Sequence, residues 1–326
     1  MSIIHWGIIG CGDVTERKSG PGFQNANNSQ LTAVMRRNGD LARDYAQRHG
    51  VPKWYAKAEE LIYDAEIDAV YIATPPDSHL DYVRRVADAG KPVYVEKPMG
   101  RDYAEGLAMT EYCEKRGVPL FVAHYRRGLD YFNKVKSLVA QGAIGTLRAV
   151  DVRMCQPTTL DDGDIPWRLN PTISGGGLFH DLAPHTLDIL DYIAGPIQKA
   201  AGFSVNQQKL SPADDTVACA LRFESGALGT GLWSFAQREM CDQIIMDGTE
   251  GSMAFSTFAF SNIVLRTEAG EETFDFPAPH HIQTQLIQSI VDDLNGEGVC
   301  PSRAREALRT AWVMDEIVGG VGKTFP

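Results

Sequence analysis

Residues 7–15 read GIIGCGDVT, and the turn at their centre decides how the rest of the chain is read. An apolar run from Ile3 to Ile9 stops at Gly10-Cys11-Gly12, and Asp13, Val14 and Thr15 lead onward. Glycines at a strand end let the main chain turn tightly and approach a pyrophosphate, whose charge a helix N-terminus then meets. The spacing Gly10-x-Gly12-x-x-Thr15 keeps the first two glycines of the dinucleotide fingerprint and puts Thr15 at the third. An ordinary strand-to-helix turn is the competing reading. Gly10, Cys11, Gly12, Asp13 and Val14 are the candidate cofactor contacts here.

The surroundings favour the dinucleotide. Short apolar runs recur at IIHWGIIG, LTAVM, DAVYIA, PVYVEK and PLFVAH, separated by helical patterns such as DLARDYAQRHG, SHLDYVRRVADAG and YAEGLAMTEYCEKRG. Strands apolar on both sides, alternating with helices, imply a parallel sheet covered on both faces. Residues 1–124 are therefore expected to form an α/β nucleotide-binding domain. After one more helix (DYFNKVKSLVAQG) the pattern changes to consecutive strands, LRAVDVRMC, TVACALRF, GALGTGLWSF, DQIIMDG, NIVLRTE and ETFDFP. Several alternate apolar with polar, as antiparallel strands with one solvated or interface face do. Two helices, near 281–295 and 302–317, close the chain. Residues 125–326 are expected to be an α+β domain for substrate binding and oligomerisation.

Composition sets the bounds. The 326 residues are 44% hydrophobic and 22% charged, ordinary for a globular chain of about two domains. A net charge of -11 argues against a surface that tracks nucleic-acid phosphates. Six scattered cysteines form no CxxC pair and read as free thiols in a reducing compartment. The start lacks a basic n-region, and no apolar stretch approaches the ~18 residues that span a bilayer. A cytoplasmic protein that contacts neither nucleic acid nor membrane is the expectation.

Candidate chemistry gathers at the expected strand ends. Arg36 and Arg37 stand where an Asp or Glu would bind the ribose of NAD, and two guanidiniums there suit a 2′-phosphate. NADP(H) is thus favoured, with NAD(H) possible; a solvated arginine pair is the bland alternative. In ATPPDSHL (73–80), consecutive prolines are expected to forbid a helix start before Asp77 and keep Thr74 and Pro75 extended at the ligand edge. His79 either reaches the cofactor or lies on the surface. In VYVEKPMG, Glu96 and Lys97 fall at the end of a buried strand, where a lysine is costly unless it acts on a ligand.

Residues 156–177 show neither helical nor strand period and carry Trp167 and Arg168. They run into GGGLFHDLAPHTLD (175–188). Pro184 is expected in a helix's first turn, so the helix should begin near His180 or Asp181. Asp181 and His185 then share one face at i and i+4, Asp188 continues it, and His180 points elsewhere. A proton relay, a polar helix start and a metal site are the three readings. The metal reading lacks a third convergent ligand, so none is expected.

GIIGCG, EKP followed by Met99, and GGGLFHDLAPHTLD, in this order, resemble the glucose–fructose oxidoreductase/inositol dehydrogenase (Gfo/Idh/MocA) family across nearly the whole chain. The paired arginines and Trp167-Arg168 look most like the branch containing 1,5-anhydro-D-fructose reductase. The resemblance implies a Rossmann domain followed by a domain with a large open, mainly antiparallel sheet, commonly used to form homodimers or homotetramers. It also implies roles. Lys97 would polarise the substrate oxygen near the nicotinamide, Glu96 would lie at the nicotinamide ribose, and Asp181 would orient substrate or histidine. His185 would be the general acid/base. Trp167 and Arg168 would close over the cofactor, and Tyr125 and Arg126 would touch substrate. SGPGF departs from the pattern by placing Gly20, Pro21 and Gly22 in the first helix, so a longer or broken cofactor loop is expected.

These readings converge on hydride transfer between NADP(H) and a small carbohydrate or polyol. The alternatives are an NAD-dependent glycosidase-like hydrolase of the same family and a non-catalytic nucleotide-binding sensor.

Overall fold

The computed structural model describes residues 2–160 and 165–319. The first strands and helices alternate as β1 (Ile4–Ile9), α1 (Gly20–Asn25), β2 (Ser29–Met35), α2 (Gly39–His49), β3 (Lys53–Tyr55), α3 (Ala58–Ile62) and β4 (Ala69–Ile72). Then come α4 (His79–Asp88), β5 (Val93–Val95), α5 (Tyr103–Arg116) and β6 (Leu120–Val122). The six strands are parallel, in the order β3-β2-β1-β4-β5-β6. The order reverses between β1 and β4, and in such doubly wound sheets the ligand crevice lies at the strands' carboxyl ends beside that point.

Both faces of this sheet are packed, which is why its strands read as continuous apolar runs. Trp6, Ile8, Tyr71, Tyr94 and Phe121 join Phe23 of α1 and Tyr45 of α2 in one cluster. Ile9, Val70, Ile72, Val93 and Val95 join Met109 of α5 in the other. Each such side chain, fully buried, contributes roughly 1.5–3 kcal/mol.

The segment before α1 is not broken, contrary to the expectation from its Gly-Pro-Gly. Thr15–Ser19 form a π-helical turn that passes directly into α1. Pro21 is tolerated because it falls in the first turn of α1. Gly20 is required by close approach: a Cβ there would lie 2.3 Å from both the Thr15 carbonyl and the Tyr45 hydroxyl. That hydroxyl donates to the Thr15 carbonyl at 2.9 Å, so α2 clamps the irregular turn. Arg48 and His49 of α2 add ion pairs to Glu16, whose carboxyl the Arg48 hydrogen bond holds down at about 2.

The rest of the chain runs α6 (Asp130–Ala140), β7 (Leu147–Cys155), α7 (Pro171–Ser174), α8 (Gly177–Ala194), β8 (Ile197–Val205), β9 (Thr216–Phe223) and β10 (Leu228–Ser234). Then follow β11 (Cys241–Gly248), β12 (Gly251–Phe255), β13 (Ile263–Thr267), β14 (Gly270–Phe274), α9 (Thr284–Leu294) and α10 (Ala304–Gly319). The second sheet is eight-stranded, β14-β13-β12-β11-β7-β10-β9-β8, and antiparallel except for the parallel pair β7–β10. Alternation shows which face is covered. In β7, Val150, Val152 and Met154 are buried while Asp151 and Arg153 are exposed. Phe179 of α8 meets Trp233 of β10 edge-on, with ring centroids 5.5 Å apart.

Two compact units result, one of residues 1–129 with 279–308 and one of 130–278 with 309–326. The linear reading put all residues after 124 in the second domain, but α9 packs against α1 in the first. Gly22 is where they meet, since a Cβ there would come within 2.7 Å of Ile287. All six cysteines are free. Among the described residues no helix is long and apolar enough to cross a membrane.

Candidate active site

In the first unit the glycine turn sits where β1 ends. Gly10 has φ +91°, a conformation L side chains rarely adopt, and a Cβ there would meet Thr74 at 2.8 Å. Gly12 differs: a Cβ would meet nothing nearer than the Gly10 carbonyl at 3.9 Å. Protein packing leaves that space open, so it fits a group approaching the main chain from outside. Thr15 stands at the third-glycine position. Its hydroxyl accepts from the Gly12 N–H at 2.9 Å and donates to the Gly12 carbonyl at 2.8 Å, closing the turn. Cys11 is buried, Asp13 exposed and Val14 half-buried at the start of the π turn.

Arg36 and Arg37 are exposed at the end of β2. The Gly10 and Cys11 N–H groups donate to the Met35 carbonyl, which ties that strand end to the glycine turn. Burial pushes the Cys11 thiol up to about 11, and the nearby Arg36 charge opposes the shift.

The prolines of 75 and 76 behave differently from expectation. Pro75 is extended, but a 3-10 turn already begins at Pro76, because a proline suits the first position of a helical turn. His79 opens α4, and it is neither a surface residue nor open to a ligand. Its ring is fully buried, Nε2 2.8 Å from the Thr74 carbonyl and Nδ1 3.1 Å from the Met99 carbonyl. Burial pulls this imidazole below its usual pKa, against the two carbonyls. A neutral imidazole donates to only one of these carbonyls, and His79 fills the space between the loop of Thr74 and the loop of Met99.

Glu96 directly follows β5, 6% exposed, inside a polar network that the spacing of residues did not reveal. Its Oε1 accepts from the Tyr71 hydroxyl at 2.5 Å and from Gln283 Nε2 at 2.8 Å, while Oε2 accepts the Lys97 N–H at 3.1 Å. Tyr94 donates to Gln283 Oε1 at 2.7 Å. Burial first, then the Glu96 charge, raises the Tyr71 phenol well above its usual value. The network fixes the main chain at Lys97, whose bond to Pro98 is cis. Tyr125 and Arg126, beyond β6, are nearly buried, the guanidinium 5.1 Å from the Tyr125 ring centroid.

In the second unit, α8 begins at Gly177 and not near His180, with Pro184 inside the helix. An interior proline has no N–H for the carbonyl four residues back and costs about 3 kcal/mol. Burial on several sides offsets it: Phe179, Ala183, Leu187, Ile189 and Leu190 are all buried. Gly176 is needed because the His180 ring occupies its Cβ position, with Nδ1 2.1 Å away. Asp181 and His185 keep their i, i+4 relation. Asp188, 1% exposed, accepts from Thr310 at 3.4 Å and takes a packing role.

The aperiodic segment holds a 3-10 turn, Trp167–Leu169, and α7; its residues 161–164 lie outside the described residues. Arg168 stacks 4.4 Å from the Trp167 ring centroid and points Nε to Asp181 at 3.3 Å. His185 is buried and faces Phe258, ring centroids 5.6 Å apart at 83°. Neither Gln283 nor Phe258 carries a local sequence signal. Among the described residues no three His, Cys, Asp or Glu gather to hold a metal.

Residues 4–124 match the NAD-binding Rossmann domain of an oxidoreductase family, and residues 132–254 match the GFO/IDH/MocA C-terminal domain. Oxidoreductase P35 of Formosa agariphila is 38% identical over 321 residues, covering 98% of this chain and 99% of that protein. The 1,5-anhydro-D-fructose reductase of Ensifer adhaerens is 25% identical, covering 86% of this chain and 85% of its own. A levoglucosan dehydrogenase solved with NADH and levoglucosan has the same fold, with a TM-score of 0.88, 21% identity and 99% of each chain covered.

Proposed function

The chain belongs to the GFO/IDH/MocA family of oxidoreductases, and we propose that it moves a hydride reversibly between NADP(H) and a carbinol or ketone carbon of a sugar, anhydrosugar or polyol. The observation that supports this reading is His79, buried between the Thr74 and Met99 carbonyls, which sets the loop beside the Gly10 turn against the loop bearing Lys97. Gly10, Cys11, Gly12, Asp13 and Val14 would hold the pyrophosphate, Thr74 and Pro75 would flank it, and Glu96 would face the nicotinamide ribose. A bound nicotinamide supplies or accepts the hydride at C4. Lys97 donates to the substrate oxygen and stabilises charge developing there. His185 exchanges the hydroxyl proton, a task suited to imidazole near neutral pH. Asp181 orients substrate, and Trp167 and Arg168 cover the cofactor.

The preference for NADP(H) over NAD(H) rests on Arg36 and Arg37. In a fluorescence titration of nucleotide-stripped protein, NADPH is expected to bind about ten- to a hundred-fold tighter than NADH. Arg36→Ala with Arg37→Ala should abolish that margin without weakening NADH. Equal affinities in the unsubstituted protein would make the pair a solvated strand end. Reduction of 1,5-anhydro-D-fructose with NADPH and oxidation of levoglucosan with NADP+ are the first activities to assay. Absence of turnover across sugars and polyols would overturn the enzymatic reading.

The open face of the second sheet is the interface of a homodimer or homotetramer in this reading. Phe203 and Leu228 are 86% and 61% exposed. Phe203 stands beside Ala218, and Ala218 beside Leu232, giving an apolar row across three strands. Phe203→Glu with Leu228→Glu should yield monomers in sedimentation velocity; a variant that keeps the parent's assembled mass rejects this face.

A further inference from the structure

β12 and β13 are antiparallel neighbours, and two residues suffice for such a connection. The chain instead uses residues 256–262, and two side chains hold them in place. The Asp242 carboxylate accepts three successive main-chain N–H groups, from Thr257 at 2.9 Å, Phe258 at 2.6 Å and Ala259 at 2.8 Å. The Tyr131 hydroxyl accepts from the Ser256 N–H at 2.9 Å and donates to the Ser261 carbonyl at 2.8 Å. Phe260 sits at φ 48°, a left-handed conformation that costs a bulky residue energy and persists only where its surroundings over-determine it. The loop also meets α8 directly. Thr257 and Thr186 share a hydroxyl–hydroxyl contact at 3.1 Å, and the Phe258 ring meets the His185 ring nearly perpendicular, centroids 5.6 Å apart.

We propose that Phe258 is a positioning residue for the His185 imidazole and that Asp242 fixes Phe258 in that place. The inference rests on His185 being the proton-exchanging group. Charge-assisted hydrogen bonds are the strong ones, so three of them on one carboxylate give the loop a single conformation. A perpendicular ring contact favours one orientation of the imidazole about its bond to the chain, and small misplacements of a catalytic group are expensive in rate. Ordinary packing would not need the carboxylate, the tyrosine and the strained Phe260 together.

A double-mutant cycle on the full chain tests this, read as NADPH-dependent reduction of 1,5-anhydro-D-fructose. Phe258→Ala is expected to lower kcat about ten- to a hundred-fold, with KM and NADPH affinity held within about three-fold. Phe258→Tyr should stay within about two-fold of the parent, with Asp242→Asn between the two. In a His185→Ala background, Phe258→Ala should cost less than about two-fold, because there is no imidazole left to position. Equal losses in both backgrounds mean a structural role and overturn the proposal. A dead His185→Ala beside a fully active Phe258→Ala overturns the proposal alone. Parent-like turnover of His185→Ala overturns the reading of His185 and the proposal with it. A second measurement needs no substrate: in 13C-histidine-labelled protein with NADPH bound, the His185 ring signals should move in Phe258→Ala and stay in Phe258→Tyr. Unmoved signals in Phe258→Ala count against the contact.

Discussion

Lys97→Ala should lower kcat by about a hundred- to a thousand-fold, the usual loss when one donor to a developing oxyanion is removed. NADPH affinity should change little, because the Lys97 main-chain N–H that donates to Glu96 is kept by alanine. The main chain is held by Tyr71 and Gln283 through Glu96, so the variant's loop should stay in place. The experiment is steady-state turnover beside a nucleotide titration on the same preparation. Unimpaired turnover would remove Lys97 from the mechanism. A protein that binds NADPH tightly yet turns over no sugar before or after the change would be a nucleotide sensor, and release of free sugar from a nitrophenyl glycoside without change at 340 nm would mark the glycosidase-like alternative.

His185→Ala is expected to cost about two to four orders of magnitude in kcat/KM, the range for loss of a general acid/base. Its imidazole is buried, so alanine leaves a cavity; His185→Asn fills most of it without supplying a group that titrates near neutrality. Added imidazole should restore part of the activity of the alanine variant, and none of that of the asparagine variant, whose side chain fills the space. Retained activity in both would reassign the proton transfer to another group.

The first unit was legible because its signals are local. Ala69–Ile72 is buried on both sides and reads as an uninterrupted apolar run, and only a glycine at φ +91° lets β1 turn sharply into the phosphate turn. Spacing likewise put Asp181 and His185 four positions apart in one helix, and both lie in α8. Local rules failed where packing outvotes them. Pro184 alone argues for a helix start at His180, yet burial of Phe179 and its neighbours carries α8 back to Gly177. Thr15 reads as a defective glycine and closes the turn by hydrogen bonding to Gly12. His79, four residues after Pro75 and seventeen before Glu96, gives no sign in the sequence that it will be sealed between two carbonyls.

Sequence alone therefore determined the alternation of strands and helices, the parallel sheet and the glycine turn at the end of β1. Each of those depends on neighbours two, three or four positions apart, set by the period of a strand or a helix. Only the tertiary structure decided what holds those residues still. Gln283 reaches Glu96 across 187 positions, and Tyr131 reaches Ser256 across 125. Strand order and the return of the chain to an earlier layer create such pairs, and no periodicity along the sequence records them.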